Sequence, residues 1–294
     1  MSKSAWDGIQ VISEFMKERV ERQKNVGMTM VIDTCMGPQM LQDMLLVSNE
    51  HIDHWKFSYG VSAVMPANIL RQMLDTLNQY NINAFPGGTL LEAAIIQKNC
   101  QSYMLRAKEI GFRSVEISDG TITLPIKRRR NAILCALDNG LIPITEVGKK
   151  DPAKQPSPEE LADLILQDLY FGAEYVILDA RESGREIGIF DQNGDLKLEL
   201  FDKILSLVGQ KKEKVIWEAP LRKQQAALIQ QIGPNVNLGN ISPMDVLSLE
   251  SLRLGLQYES LREVADESTQ RGMWDPDSVE NSDTAKMPQE SAKK

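Results

Sequence analysis

Two hydrophobic rhythms alternate along the chain. Short runs rich in β-branched and aromatic residues recur at intervals of a few tens of residues, and most carry a charged or amide side chain at or near the C-terminal end. The clearest are Met28–Asp33, His54–Tyr59, Ile82–Pro86, Ser114–Ser118, Leu141–Val147, Tyr175–Ala180, Lys214–Ala219 and Asn235–Gly239. Between them, apolar residues repeat with helical spacing. Eight strand–helix units with polar strand C-termini predict an α/β fold, a (β/α)8 TIM barrel whose chemistry sits on one rim. The barrel is assigned to residues 26–265. Ahead of it, residues 1–25 read as an amphipathic helix (Trp6, Ile9, Ile12, Phe15, Met16, Val20). Residues 266–294 turn polar and are expected to be a disordered tail. Asp151–Pro158, rich in Pro and Lys, is expected to be either a mobile loop over the rim or an ordinary surface loop.

Strand side chains alternate between the helix layer and the barrel axis. Placing the larger apolar residues outward in the fourth strand (Val115, Ile117) turns Glu116 and Ser118 inward. The same rule turns Glu218 inward in the seventh strand, Asn237 and Gly239 in the eighth, and Lys56 in the second. Asp33 and Glu146, as terminal strand residues, can also reach the rim. A ring of Asp33, Lys56, Glu116, Glu146, Glu218 and Asn237 is the result. Converging buried carboxylates ask for a counter-ion. Mg2+, a hard cation that prefers oxygen ligands, is the one expected, with Asp33, Glu116, Glu146 and Glu218 as its ligands.

Composition narrows the field. A formal charge of -8 argues against nucleic-acid binding. The basic runs Lys127–Arg130 and Lys211–Lys214 read as solvated faces. Three cysteines without a Cys-x-x-Cys, and no secretory or transmembrane run, point to a reducing cytoplasmic setting away from membranes. The two histidines, His51 and His54, flank the start of the second strand, which disfavours a Ser–His or Cys–His mechanism.

Two glycine-bearing turns have the form of anion cradles. Pro86-Gly87-Gly88-Thr89 leads from the third strand into a helix, and Gly239-Asn240-Ile241-Ser242-Pro243 follows the eighth. Arg181 and Arg185 after the sixth strand could clamp phosphate, sulfonate or carboxylate. No Walker or Rossmann glycine pattern is present, so a small multiply anionic substrate is expected rather than a nucleotide.

In order, these rim segments resemble the phosphosulfolactate synthase family. The pieces that carry the resemblance are Lys56-Phe57-Ser58-Tyr59-Gly60, Pro86-Gly87-Gly88-Thr89-Leu90, Val115-Glu116-Ile117-Ser118-Asp119-Gly120 and Glu146-Val147-Gly148-Lys149-Lys150. Ala180-Arg181-Glu182-Ser183-Gly184, Glu218-Ala219-Pro220, Gln224-Gln225 and Val236-Asn237-Leu238 continue it. The resemblance implies a (β/α)8 barrel, Mg2+ dependence, a homo-oligomer, and addition of sulfite to phosphoenolpyruvate to give (2R)-phospho-3-sulfolactate on the coenzyme M route. It also implies that a lysine after the fifth strand protonates the second carbon. Lys150 shares the parity of Glu146 and is preferred to Lys149. Lys56, Arg181 and Arg185 become candidates for phosphate and sulfite. The family's Asp-Lys-Gly after the first strand is Asp33-Thr34-Cys35-Met36-Gly37 here, and a C-terminal arginine is also replaced. Two other readings therefore stay open. One is a related barrel enzyme acting on another phosphorylated enol or keto acid, including a Schiff-base aldolase through Lys56. The other is a non-catalytic stress-related protein like the plant heat-stress-associated branch.

Overall fold

The computed structural model describes Trp6, Arg19, residues 25–34 and 36–275, and Asp277. The expected N-terminal helix and most of the expected tail fall outside these residues. Eight parallel strands alternate with helices: β1 Thr29–Asp33, β2 His54–Phe57, β3 Asn83–Pro86, β4 Ser114–Ile117, β5 Ile142–Val147, β6 Tyr175–Leu178, β7 Val215–Glu218 and β8 Leu238–Ile241. The helices are α1 Pro38–Ser48, α2 Val61–Val64, α3 Ala67–Gln79, α4 Gly88–Ile96, α5 Cys100–Ile110, α6 Ile126–Asp138, α7 Pro158–Phe171, α8 Leu198–Val208, α9 Arg222–Ile232, α10 Val246–Arg253 and α11 Tyr258–Gln270. The last of these stays helical beyond residue 265, the expected end of the barrel.

The strands run around the barrel in the order β3-β2-β1-β8-β7-β6-β5-β4. Seven neighbouring pairs form parallel ladders. Among the described residues no ladder joins β3 to β4, and side chains fasten that seam instead. Near its N-terminal end Ser114 Oγ donates to Asn83 Oδ1 at 2.9 Å and Arg113 to the Ile82 carbonyl at 3.1 Å; near its C-terminal end the Gly88 N–H donates to Glu116 Oε1 at 2.8 Å.

Two apolar cores follow from the alternation. Val31, Trp55, Phe57, Val115, Ile117, Val147, Val176, Val215 and Trp217 face the helices. Met28, Met30, Phe85, Ile144, Tyr175, Ile177 and Ile216 fill the axis. Each buried Leu, Ile or Val is worth about 1.5–3 kcal/mol, so two or three of them fix a strand's parity against a slip that would invert both faces. The helices follow the same arithmetic. In α3, Leu70, Met73, Leu74 and Leu77 form the buried stripe. A Ser157–Glu160 capping box with Pro158 starts α7, and Gly172 in the left-handed region ends it.

Strand β8 begins three residues later than the hydrophobic pattern predicts. Its register against β1 also slips: Thr29 pairs with Leu238, but Val31 pairs with Ile241. The extra residue makes a bulge at Gly239–Asn240, and Asn240 adopts φ 54°.

Candidate active site

Above the apolar plug, inward positions of five strands or strand ends become polar. Lys56 on β2, Glu116 on β4, Glu146 on β5, Asp179 just past β6 and Glu218 on β7 are all buried. The Lys56 ammonium lies 2.9 Å from Glu116 Oε2, 2.7 Å from Glu146 Oε2 and 3.2 Å from Glu218 Oε1. Backbone donors hold oxygens of three of the carboxylates. Gly88 N–H serves Glu116, Ala180 N–H serves Glu218 at 3.0 Å, and Arg181 N–H serves Asp179 at 2.8 Å. Glu146 Oε1 and Asp179 Oδ2 are buried with no hydrogen-bond donor.

Lys150 enters the same cavity from the loop after β5, where its Nζ donates to Thr89 Oγ1 at 3.2 Å. Four carboxylates (Glu116, Glu146, Asp179, Glu218) against two ammonium groups leave an excess of two negative charges when all are ionised. The carboxyl groups respond unequally. Burial, with Glu146 nearby, pushes Glu116 up to about 7. Burial and Glu146 likewise push Asp179 up to about 6, and burial drives Glu218 well above the carboxylate range. Glu146 alone is pulled down, to about 2: burial opposes its charge, but Lys56 and Lys150 outweigh it. Burial also opposes both ammonium charges. The three glutamates nevertheless hold Lys56 well above the usual lysine value, and Glu146, Asp179 and Glu116 raise Lys150.

One oxygen each from Glu146, Asp179 and Glu218 lie within 4.8 Å of one another. An all-oxygen donor set, two unsatisfied buried oxygens and a surplus of two charges fit a hard divalent cation such as Mg2+. Strand alternation does not reveal Asp179 as a member of the ring. Its strand, Tyr-Val-Ile-Leu, is apolar on both faces and gives no parity, but Asp179 itself lies two residues beyond the inward Ile177.

The remaining expected site residues divide. Gly87, Gly88, Thr89, Arg181 and Asn240 line the cavity, joined by Ser58, Tyr59 and Glu182. Arg185 is exposed and lies outside that lining. Asp33 shares the parity of Val31 and turns to the helix layer; it accepts from the Met36 N–H at 2.9 Å and the Trp55 indole at 3.1 Å, away from the glutamates. Asn237 lies before β8, at the opposite end of the barrel. There it accepts from Met28 N–H at 3.0 Å and donates to the Glu213 carbonyl at 2.8 Å. Gly239 keeps its inward parity but sits in the plug, where a Cβ would come within 2.6 Å of Met30. Lys149 turns aside to Asp119. Reading Lys127–Arg130 as a solvated run fails at Arg129, which is fully buried and bound to Asp168 and Asp119. Arg129, Ala132, Ile133 and Ala136 form the buried stripe of α6, so helical spacing marks it as inward.

The loop Asp151–Pro158 is tethered through Gln155, which donates to the Lys149 carbonyl at 2.5 Å and accepts from the Gly188 N–H at 3.0 Å. A larger groove of about 600 Å³ between α3, α4 and α5 has no Asp or Glu in its lining, so the carboxylate cluster belongs to the rim cavity. Among the described residues no helix is long and apolar enough to cross a membrane.

Residues 17–259 match the family model described as (2R)-phospho-3-sulfolactate synthase (ComA). The phosphosulfolactate synthase of Methanocaldococcus jannaschii is 39% identical over 253 residues, covering 85% of this chain and 98% of that protein. Its counterpart from Methanothermobacter thermautotrophicus is 35% identical over 248 residues, 84% of this chain and 95% of that one. Among solved structures, 3-hexulose-6-phosphate synthase from Salmonella typhimurium superimposes with a TM-score of 0.52 at 9% identity, covering 78% of this chain and 100% of that one. That likeness concerns the barrel alone.

Proposed function

Because this chain belongs to the (2R)-phospho-3-sulfolactate synthase family, we propose that it adds sulfite to phosphoenolpyruvate with the help of Mg2+, giving (2R)-phospho-3-sulfolactate. The observation that carries the reading within the site is the buried cluster of Glu146, Asp179 and Glu218 beside Lys56 and Lys150. Those three carboxylates would hold the cation. When bound, Mg2+ supplies a fixed positive charge where negative charge develops on the substrate carboxylate.

The chain's own groups account for the rest. Sulfite sulfur forms a bond to the methylene carbon of phosphoenolpyruvate, and the π pair moves onto the second carbon and its carboxylate as an enediolate. The Lys150 ammonium then gives a proton to the second carbon from its side of the cavity, which sets one configuration. Its raised pKa keeps it charged at neutral pH, and an enediolate is basic enough to take the proton. Solvent returns a proton to Lys150. Arg181 at the cavity mouth and Thr89 at the start of α4 are placed to receive anionic groups. Lys56, surrounded by three glutamates, stays an ammonium and serves to neutralise the cluster. A Schiff base needs the free amine, so its surroundings speak against the aldolase alternative. A homo-oligomer in the cytoplasm is part of the same proposal.

The test is direct. Purified protein with phosphoenolpyruvate, sulfite and Mg2+ should yield phosphosulfolactate by 31P NMR, with no product when sulfite or Mg2+ is withheld. Absence of product in the complete mixture overturns the assignment.

A further inference from the structure

Two adjacent lysines follow β5, and only one enters the cavity. We propose that Asp119, held in place by Arg129, is a positioning residue that draws Lys149 aside and thereby directs Lys150 at the substrate. The inference rests on the reading of Lys150 as the proton donor.

The sorting begins with Arg129. Its guanidinium, buried within the barrel wall, takes Asp168 of α7 through Nε at 2.8 Å and Nη2 at 2.5 Å. Nη2 also donates to the Glu146 carbonyl at 2.9 Å, and Nη1 to Asp119 Oδ1 at 3.1 Å. One side chain thus ties α7, the end of β5 and the loop after β4 together. A planar guanidinium suits this task because its donors diverge in fixed directions. With one oxygen on Arg129, Asp119 turns the other to Lys149, whose Nζ lies 2.6 Å from Oδ2 and 2.5 Å from the Asp119 carbonyl. The Ile122 carbonyl completes that seat at 3.3 Å. All three donors of the Lys149 ammonium are used, and none points into the cavity.

Lys150 is guided by the same loop. Its backbone N–H donates to the Gly120 carbonyl at 3.1 Å, while Gln155 holds the preceding carbonyl. The aliphatic stem of Lys150 then lies over Gly120, where a Cβ would meet its Cε at 3.1 Å and its Cγ at 3.2 Å. Glycine at 120 is therefore the floor along which Lys150 reaches Thr89. The loop itself is anchored from behind by Glu92 of α4, which accepts from Thr121 N–H at 3.0 Å, Ile122 N–H at 2.8 Å and Ser118 Oγ at 2.7 Å. Neutralising Asp119 would free Lys149 and leave two mobile ammonium groups competing for one cavity.

Lysine acetylation read peptide by peptide tests this without relying on turnover. In the wild-type protein Lys149 should label slowly, and phosphoenolpyruvate should protect Lys150. In Asp119→Asn, labelling of Lys149 should rise severalfold, protection of Lys150 should be lost, and kcat should fall by about a hundredfold with KM little changed, as expected for a displaced reacting group. Lys149→Met, at a partly exposed site, covers the case in which Asp119→Asn does not fold. It should also lose Lys150 protection, because Asp119 is then free to capture Lys150, while Lys149→Arg should restore it. Unchanged labelling and kcat in Asp119→Asn, or unchanged Lys150 protection and kcat in Lys149→Met where Asp119→Asn does not fold, overturns the positioning role. Full turnover in Lys150→Met, with the labelling changes still present in Asp119→Asn, would instead overturn the proton-donor reading and leave the sorting of the lysines standing.

Discussion

Replacing Lys56 by methionine keeps the side-chain stem but removes the one charge shared by three buried glutamates. Its ammonium sits 2.7–3.2 Å from their oxygens. At an effective dielectric near 20 each pairing is worth about 5 kcal/mol of Coulomb energy, most of it offset by the cost of burying the ammonium. Breaking a buried ion pair from one side leaves a net loss of about 3–5 kcal/mol. That loss depends on the glutamates being ionised. Glu116 already sits at about 7 and Glu218 well above the carboxylate range, so both take up protons readily as pH falls. Lys56→Met should therefore cost about 3–5 kcal/mol at pH 8 and less than about 2 kcal/mol at pH 5. Urea unfolding followed by far-UV circular dichroism, with a chelator present, measures both values. Saturating Mg2+ should recover about 2–3 kcal/mol at pH 8 if the cluster binds it. An equal loss at both pH values, or a loss below about 1 kcal/mol at pH 8, would refute the picture of one ammonium balancing three carboxylates.

The metal-free wild-type protein should show an unusual pH profile. Asp179 and Glu116 have folded-state pKa values raised to about 6 and about 7, so the folded state holds protons that the unfolded chain has released. Their contribution is complete below the unfolded values and is lost as pH rises through roughly 4 to 7. The lowered Glu146 acts with the opposite sign, but only between about 2 and the ordinary carboxylate value, outside that window. Melting temperature in chelator should fall from pH 4.5 to pH 7.5, and Mg2+ should flatten the slope; a rise in chelator would contradict the assignment. Gly88→Ala would place a Cβ 2.3 Å from Ser118 Oγ and 2.8 Å from Glu116 Oε1. It should destabilise by about 1–3 kcal/mol and slow turnover, and unaltered chemical unfolding would show that the turn has more room than these distances imply.

Much of the site is legible in the chain wherever one strand face is clearly apolar. Val115 and Ile117 fix Glu116 inward, and Val215 and Trp217 do the same for Glu218, because burying those side chains outweighs any local preference of the carboxylate. Legibility fails for four physical reasons. Asp179 follows a strand that is apolar on both faces, so alternation carries no signal. Asn237 has the correct parity but the wrong depth: polar residues at the N-terminal end of a strand look like those at the rim, and backbone groups at the closed end use them as partners. Asp33 ends its strand on the helix-facing parity, where an indole N–H and a loop amide offer it hydrogen bonds. The bulge that aims Asn240 into the cavity needs one extra residue, and no hydrophobic pattern records it.

The open seam between β3 and β4 gives Glu116 a second duty. Seven junctions of the barrel are laced by backbone ladders, whose strength is indifferent to charge. At the eighth, the fastening nearest the rim is a carboxylate gripping the Gly88 N–H, and a charged acceptor makes the stronger bond. The state of the charge cluster is thereby written into the wall of the barrel. A change in charge beside Glu116 would tighten or slacken the clasp that holds the Gly87–Thr89 turn. At this one carboxylate, the charge of the site and the fastening of the barrel wall share a single side chain.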